Sequence, residues 1–296
     1  MRLATLRLDD TRTAAVRIDL DADMAVEIGD FTDVGALLAH PDWKTLATEA
    51  NGPTQSLAAL QNTSWSAVVP APSKIVCVGL NYRNHILEMG RELPEYPTLF
   101  AKYPEALIGP FDAIVVPKYA SEALDWEGEL AIVLGATARR LDPAEAGRTI
   151  AGYSVLNDVT MRDYQYRTTQ WFQGKTWEAT TPFGPVLATP DEIPAGAELV
   201  TALDGEVLQR TPLDDLVFDT VALVEYISTI VTLNPGDVIA TGTPGGVGHA
   251  RKPARYLTAG GTLTNTAVAE QVDGAAEDAT GGADAAAERE PSGTQA

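Results

Sequence analysis

Beyond Pro72 the chain is a succession of short apolar runs: Ile75–Leu80, Ala113–Val116, Leu130–Leu134, Tyr153–Leu156, Pro185–Ala188, Glu198–Leu203 and Val238–Thr241. The connections between them are mostly short and rich in Gly, Pro and Asp. A doubly wound parallel sheet needs a helix after nearly every strand, and few helices intervene here. The pattern predicts an α+β fold that is mostly β, with helices near Pro143–Thr149 and Thr220–Thr229.

Upstream, Ala14-Ala15-Val16-Arg17-Ile18-Asp19-Leu20 alternates as antiparallel strands do. Helical stretches are expected around Val34–Leu46 and Gln55–Gln61, before Val69-Pro70-Ala71-Pro72 breaks the pattern. Residues 1–70 read as a small leading domain that packs without doing chemistry, and residues 71–266 as the larger, catalytic domain. Residues 267–296 are Ala, Gly, Asp and Glu with almost no large apolar side chain after Val272. Such a segment buries too little surface to offset its chain entropy, so a disordered tail is expected.

The formal charge of −20 repels nucleic acid and anionic membrane, which argues against both as partners. A single cysteine, Cys77, set among Ile75, Val76 and Val78, suits a buried strand position and a reducing, cytoplasmic setting. The first ten residues mix charges with apolar side chains, unlike a signal peptide, and no apolar run nears the roughly 20 residues that span a bilayer.

Chemistry concentrates in Leu124-Asp125-Trp126-Glu127-Gly128-Glu129-Leu130. Residues i and i+2 of a strand share a face, so Glu127 and Glu129 converge, and like charges that close need a proton or a cation between them. An E-x-E pair is ordinarily a solvated strand face, but this one opens an apolar strand. Asp158, at the end of Val155-Leu156-Asn157, is a candidate third oxygen ligand. Three carboxylates plus waters suit Mg²⁺ or Mn²⁺, whereas Zn²⁺ usually recruits His or Cys. Of the three histidines, His85 has Glu88 three residues on, a spacing at which a carboxylate can orient an imidazole on a helical turn, although a surface pair is the commoner meaning. Gly174-Lys175-Thr176 lacks the earlier glycine of a phosphate loop, and Gly242–Gly248 lacks dinucleotide spacing, though its backbone amides could hold a carboxylate.

Six segments, in order between about residues 74 and 255, resemble the fumarylacetoacetate hydrolase family. They are Gly79–Glu88 with its N-Y-x-x-H-x-x-E pattern, Pro97–Lys102, Asp125–Leu130, Asn157–Gln165, Gly174–Thr176 with Thr181–Pro185, and Pro235–Pro244. The resemblance implies a mixed β-roll or β-sandwich, usually in a homodimer, with a divalent metal on Glu127, Glu129 and Asp158. It also implies His85 and Glu88 on a lid that activates water, Lys175 beside developing negative charge, and Arg162, Gln165 and Thr243 as contacts to a 2-oxo or 2,4-dioxo acid. A strand of about ten residues that the family usually carries after Gly260 is missing here, which bears on the sheet edge or the dimer contact.

The first functional expectation is therefore hydrolysis of a C–C bond in an acylpyruvate-type 2,4-dioxo acid through a metal-stabilised enolate. The second is isomerisation or decarboxylation of a 2-oxo or 2-hydroxydienedioate in aromatic breakdown, and the third a biosynthetic role or ligand binding without turnover.

Overall fold

Gly128–Leu134 forms a strand buried along its whole length. Its alternate side chains serve two cores. Ala131 and Val133 pack with Leu3, Val34, Leu37, Leu38 and Trp43 on one face, and Ile132 and Leu134 with Leu223, Val224 and Ile227 on the other. A strand covered on both faces has no use for polar alternation, which is why Leu130–Leu134 is apolar throughout. The computed structural model describes residues 1–88, 92–115, 122–268 and 280–284.

The strand lies within a mixed ten-stranded sheet. From one edge the order is Thr54–Ser56, Met24–Glu27, Thr13–Asp19, Arg2–Arg7, Leu187–Ala188, Ile150–Asn157, Gly128–Leu134, Val238–Ala240, Ile75–Gly79 and Thr98–Lys102. Val238–Ala240 runs parallel to Ile75–Gly79. The leading residues are thus continuous with the rest: Arg2 pairs with Ala188, and the first core draws on both segments.

One layer over the sheet is the helix Thr220–Ile230. Its N-terminus is capped by Asp219, whose Oδ1 accepts from Ala222 N at 2.8 Å, and it buries Leu223, Val224 and Ile227. Pro143–Thr149 forms the expected helix, opened by a capping box between Asp142 and Glu145. On the opposite face the helical stretch expected over Val34–Leu46 divides into Val34–Leu38 and Trp43–Thr48. His40-Pro41 lies at the break, where proline has no amide hydrogen to continue a helix. The expected helix over Gln55–Gln61 is instead the edge strand Thr54–Ser56 followed by the turn Leu57–Ala59, because Met24–Val26 offers strand partners to that backbone.

A second sheet has the order Glu206–Pro212, Glu198–Leu203, Thr262–Val268 and Thr280–Asp284. Gly260 and Gly261 lead directly into Thr262–Val268, and Thr280–Asp284, inside the segment expected to be disordered, pairs with it. This sheet carries Gln209 and Asn265 to the start of the Gly128–Leu134 strand, where Gly128 N donates to Gln209 Oε1 at 3.1 Å. Among the described residues no helix is long and apolar enough to cross a membrane.

Candidate metal centre and active site

The antiparallel pairing of Ile150–Asn157 with Gly128–Leu134 sets Asn157 opposite Gly128. The next residue, Asp158, therefore arrives beside Glu127, and its N donates to Glu127 O at 2.8 Å. Asn157 fixes the same corner by accepting from Glu127 N at 3.0 Å. One oxygen from each of Glu127, Glu129 and Asp158 lies within 4.8 Å of the others, and all three residues are buried.

Burial, then the neighbouring Asp158 and Glu127, push the Glu129 carboxyl well above the ordinary carboxylate range. Burial acts upward on Asp158 as well, but Lys102 and Lys175 outweigh it and hold that carboxyl low. Around the centre stand the carboxyl groups of Asp125, Glu127, Glu129 and Asp158 and the cations Lys102, Lys175 and Arg162; once Glu129 gives up its proton the set is one cation short of balance. Asp158 Oδ1 has the Lys102 ammonium at 2.9 Å and, among the described residues, no well-aligned hydrogen-bond donor. Clustered hard oxygens, a carboxyl whose proton a cation can displace and an oxygen with unused acceptor capacity fit a divalent cation such as Mg²⁺ or Mn²⁺.

Lys175 ends the short helix Phe172–Lys175, and its Nζ donates to Glu127 Oε2 at 2.6 Å and Asp158 Oδ2 at 2.8 Å. Gly174 permits this approach: a Cβ there would lie 2.6 Å from Gln165 Cβ. Burial acts to lower the Lys175 ammonium, but Asp158 and Glu127 outweigh it and raise it, so it stays protonated. Lys102, at the end of Thr98–Lys102, donates to Thr181 Oγ1 at 2.8 Å and to the carbonyl of Lys175. Arg162 bonds Asp125 Oδ2 at 2.7 Å, Glu127 Oε1 at 2.8 Å and Gln165 Oε1 at 2.9 Å.

The loop after Val238–Ala240 closes the other side. Gly242 N donates to Glu129 Oε2 at 2.9 Å. Its φ of +100°, with a Cβ position only 2.8 Å from Val78 O, admits no side chain. Thr243 Oγ1 donates to Gly128 O at 3.0 Å. Further on, Gly248 N and His249 N donate to Asp125 at 2.7 and 2.9 Å, while the exposed His249 ring lies 2.9 Å from Tyr256 OH.

Seven residues singled out in the sequence thus join one network: Glu127, Glu129, Asp158, Arg162, Gln165, Lys175 and Thr243. His85 and Glu88 lie in the helix Arg83–Glu88, but their side chains fall outside the described residues. Sequence reasoning passed over Lys102, Asp125, Asn157 and Gln209. For Lys102 a signal existed, a lone cation closing a strand of the matching Pro97–Lys102 segment; for Gln209 there was none.

A family model described as fumarylacetoacetate (FAA) hydrolase C-terminal matches residues 74–273. The mitochondrial oxaloacetate tautomerase Fahd2a of Rattus norvegicus is 39% identical over 197 residues, 66% of this chain and 63% of that protein. The chain therefore spans less than two thirds of that relative's length. Oxaloacetate tautomerase YisK of Bacillus subtilis (strain 168) is 38% identical over 232 residues, covering 75% of this chain and 77% of the relative. Among solved structures, 5-carboxymethyl-2-hydroxymuconate delta-isomerase from Mycobacterium smegmatis superposes with a TM-score of 0.77 at 32% identity, over 98% of this chain and 100% of that one.

Proposed function

The chain belongs to the fumarylacetoacetate hydrolase family, and from that premise we propose that it is a divalent-metal-dependent isomerase. It interconverts the keto and enol forms of a small 2-oxo dicarboxylic acid, oxaloacetate or a hydroxydienedioate. The observation that carries this reading is the buried set Glu127, Glu129 and Asp158 with Lys175 Nζ on two of its members. A bound Mg²⁺ or Mn²⁺ supplies Lewis acidity toward the 2-oxo group.

The rest is work for the chain's own groups. Lys175, held protonated, is a donor that offsets negative charge developing on the substrate oxygen, and for the same reason it is not the base. Arg162, also held charged, cannot take a proton either. Abstraction from the carbon next to the 2-oxo group falls to a group neutral or anionic near pH 7; the resemblance gives His85 with Glu88 the activation of water, and we assign the proton transfer to the same pair.

Hydrolysis of an acylpyruvate, the first expectation from the sequence, yields its place to isomerisation, the second. Both pass through the same enolate, but hydrolysis also needs a water aimed at a distal carbonyl, and the relatives named above are tautomerases and an isomerase. As the working form we take a homodimer in a reducing, cytoplasmic compartment, the latter supported by the buried thiol of Cys77.

The test presents enolic oxaloacetate to Mn²⁺-loaded protein and follows the ultraviolet absorbance of the enol, with an acylpyruvate run in parallel. Decay faster than with Mn²⁺ alone is the expected result. No acceleration by a protein that binds Mn²⁺ sinks the reading, and pyruvate released from the acylpyruvate reinstates hydrolysis.

A further inference from the structure

Three hydrogen bonds close a ring around the peptide that joins the two glutamates. Gly128 N donates to Gln209 Oε1 at 3.1 Å. Gln209 Nε2 donates to Thr243 Oγ1 at 2.8 Å and to Pro244 O at 3.0 Å. Thr243 Oγ1 then donates to Gly128 O at 3.0 Å. Gly128 thus has its N–H and its C=O held by two side chains that also hold each other, and Gln209 is only 2% exposed.

The ring unites three parts of the fold: the strand of the glutamates, the glycine-rich loop, and the second sheet. A hydroxyl has a single proton. That of Thr243 goes to Gly128 O while one lone pair takes the Gln209 amide, so the hydroxyl links the two in one direction around the ring.

We infer that Gln209 and Thr243 are positioning residues, a clip that fixes the peptide between Glu127 and Glu129 and so sets the spacing of their carboxylates for the metal. The inference rests on Glu127 and Glu129 being metal ligands, as the proposed function has it, but not on which reaction follows. Partners of this kind, bonded to ligand-bearing groups, typically account for about 10- to 100-fold in metal affinity.

The test measures Mn²⁺ binding by calorimetry, with no turnover needed, on Gln209→Leu, Thr243→Val, Thr243→Ser and the double variant Gln209→Leu/Thr243→Val. Gln209→Leu and Thr243→Val are each expected to weaken Mn²⁺ binding about tenfold or more. Thr243→Ser, which restores the hydroxyl, should bind within about twofold of the parent. The double variant should be no worse than the weaker single one, because either change opens the ring. Should Gln209→Leu fail to fold, Gln209→Glu, which keeps the acceptor for Gly128 N and loses the donors, takes its place.

A Thr243→Val protein that keeps its Mn²⁺ affinity while its KM for the 2-oxo acid rises would overturn the inference and return Thr243 to the substrate. Additive losses in the double variant would also overturn it. If no variant or parent turns over any 2-oxo acid while the Mn²⁺ pattern holds, the proposed reaction fails and the clip stands.

Discussion

Gly128→Ala is the smallest change that strikes the centre. A Cβ at residue 128 would sit 2.1 Å from Thr201 Oγ1 and 2.8 Å from Asn265 Oδ1, both on the second sheet. Real Cβ contacts do not fall under 3.0 Å, so strand and sheet must separate by close to an ångström at this point. Thr201 offers little relief, since it is fully buried and turning its hydroxyl away swings its methyl toward the same space. Overpacking of this kind costs about 1–3 kcal/mol. Stretching the Gly128–Gln209 hydrogen bond adds about 1 kcal/mol. The expected loss is therefore about 2–4 kcal/mol, read by urea denaturation in excess chelator. For a chain of this size each 1 kcal/mol moves the melting temperature by about 2–4 °C. Gly147→Ala is the control: its Cβ meets only Val221 Cγ2 at 3.6 Å, an ordinary contact, within the helix Pro143–Thr149. There alanine should stabilise by about 0.5–1 kcal/mol through helix propensity. If Gly128→Ala denatures within about 0.5 kcal/mol of the parent, below the range for overpacking, the close packing of the second sheet on the ligand strand is refuted.

Removing the Lys175 ammonium leaves Glu127 and Asp158 without their shared partner, so metal-free Lys175→Met should lose about 3–5 kcal/mol, with much of it restored by saturating Mn²⁺; thermal melts with and without metal check both halves. Glu129→Gln should abolish Mn²⁺ binding in calorimetry. Metal-free, the same variant tests the raised Glu129 carboxyl. A carboxyl raised in the fold binds more protons folded than unfolded, so it costs stability as pH rises above the ordinary carboxylate range. Metal-free Glu129→Gln should therefore melt above the metal-free parent at pH 8 and lose that advantage at about pH 4.5. Metal binding displaces the same proton, so the rise in melting temperature on adding Mn²⁺ should be larger at pH 8 than at pH 6.

Local signals were legible and distant ones were not. The helix Pro143–Thr149 could be read to its ends because proline at its first position and the Asp142/Glu145 capping box lie within a few residues of one another. The carboxylate triad was legible because a period of two fixes Glu127 and Glu129 to one face and Asp158 ends a recognisable strand. Gln209 was not, since its partners lie 34, 35 and 81 residues away and only the packing of two sheets unites them. The strand around it, Glu206–Pro212, alternates too weakly, with Gln209 and Thr211 buried where apolar residues would announce an inner face. The same holds for the pairing of Arg2 with Ala188, which leaves no trace in either local pattern.

That pairing also sets a timetable. During synthesis, Arg2–Arg7 emerges ahead of Thr13–Asp19 and can zip onto it as soon as that strand follows, but its other edge waits for Leu187–Ala188. At about 5–20 residues per second the delay between the two is roughly ten to forty seconds, long against the folding of a hairpin. Through that interval the nascent chain displays an unpaired strand edge, the kind of surface that recruits holding factors or neighbouring nascent chains. The ligand strand Gly128–Leu134 waits a shorter time but is completed later, because its neighbour Val238–Ala240 emerges only after Leu187–Ala188. Slowing translation upstream of residue 187 should thus raise aggregation of this protein more than slowing it downstream of residue 240.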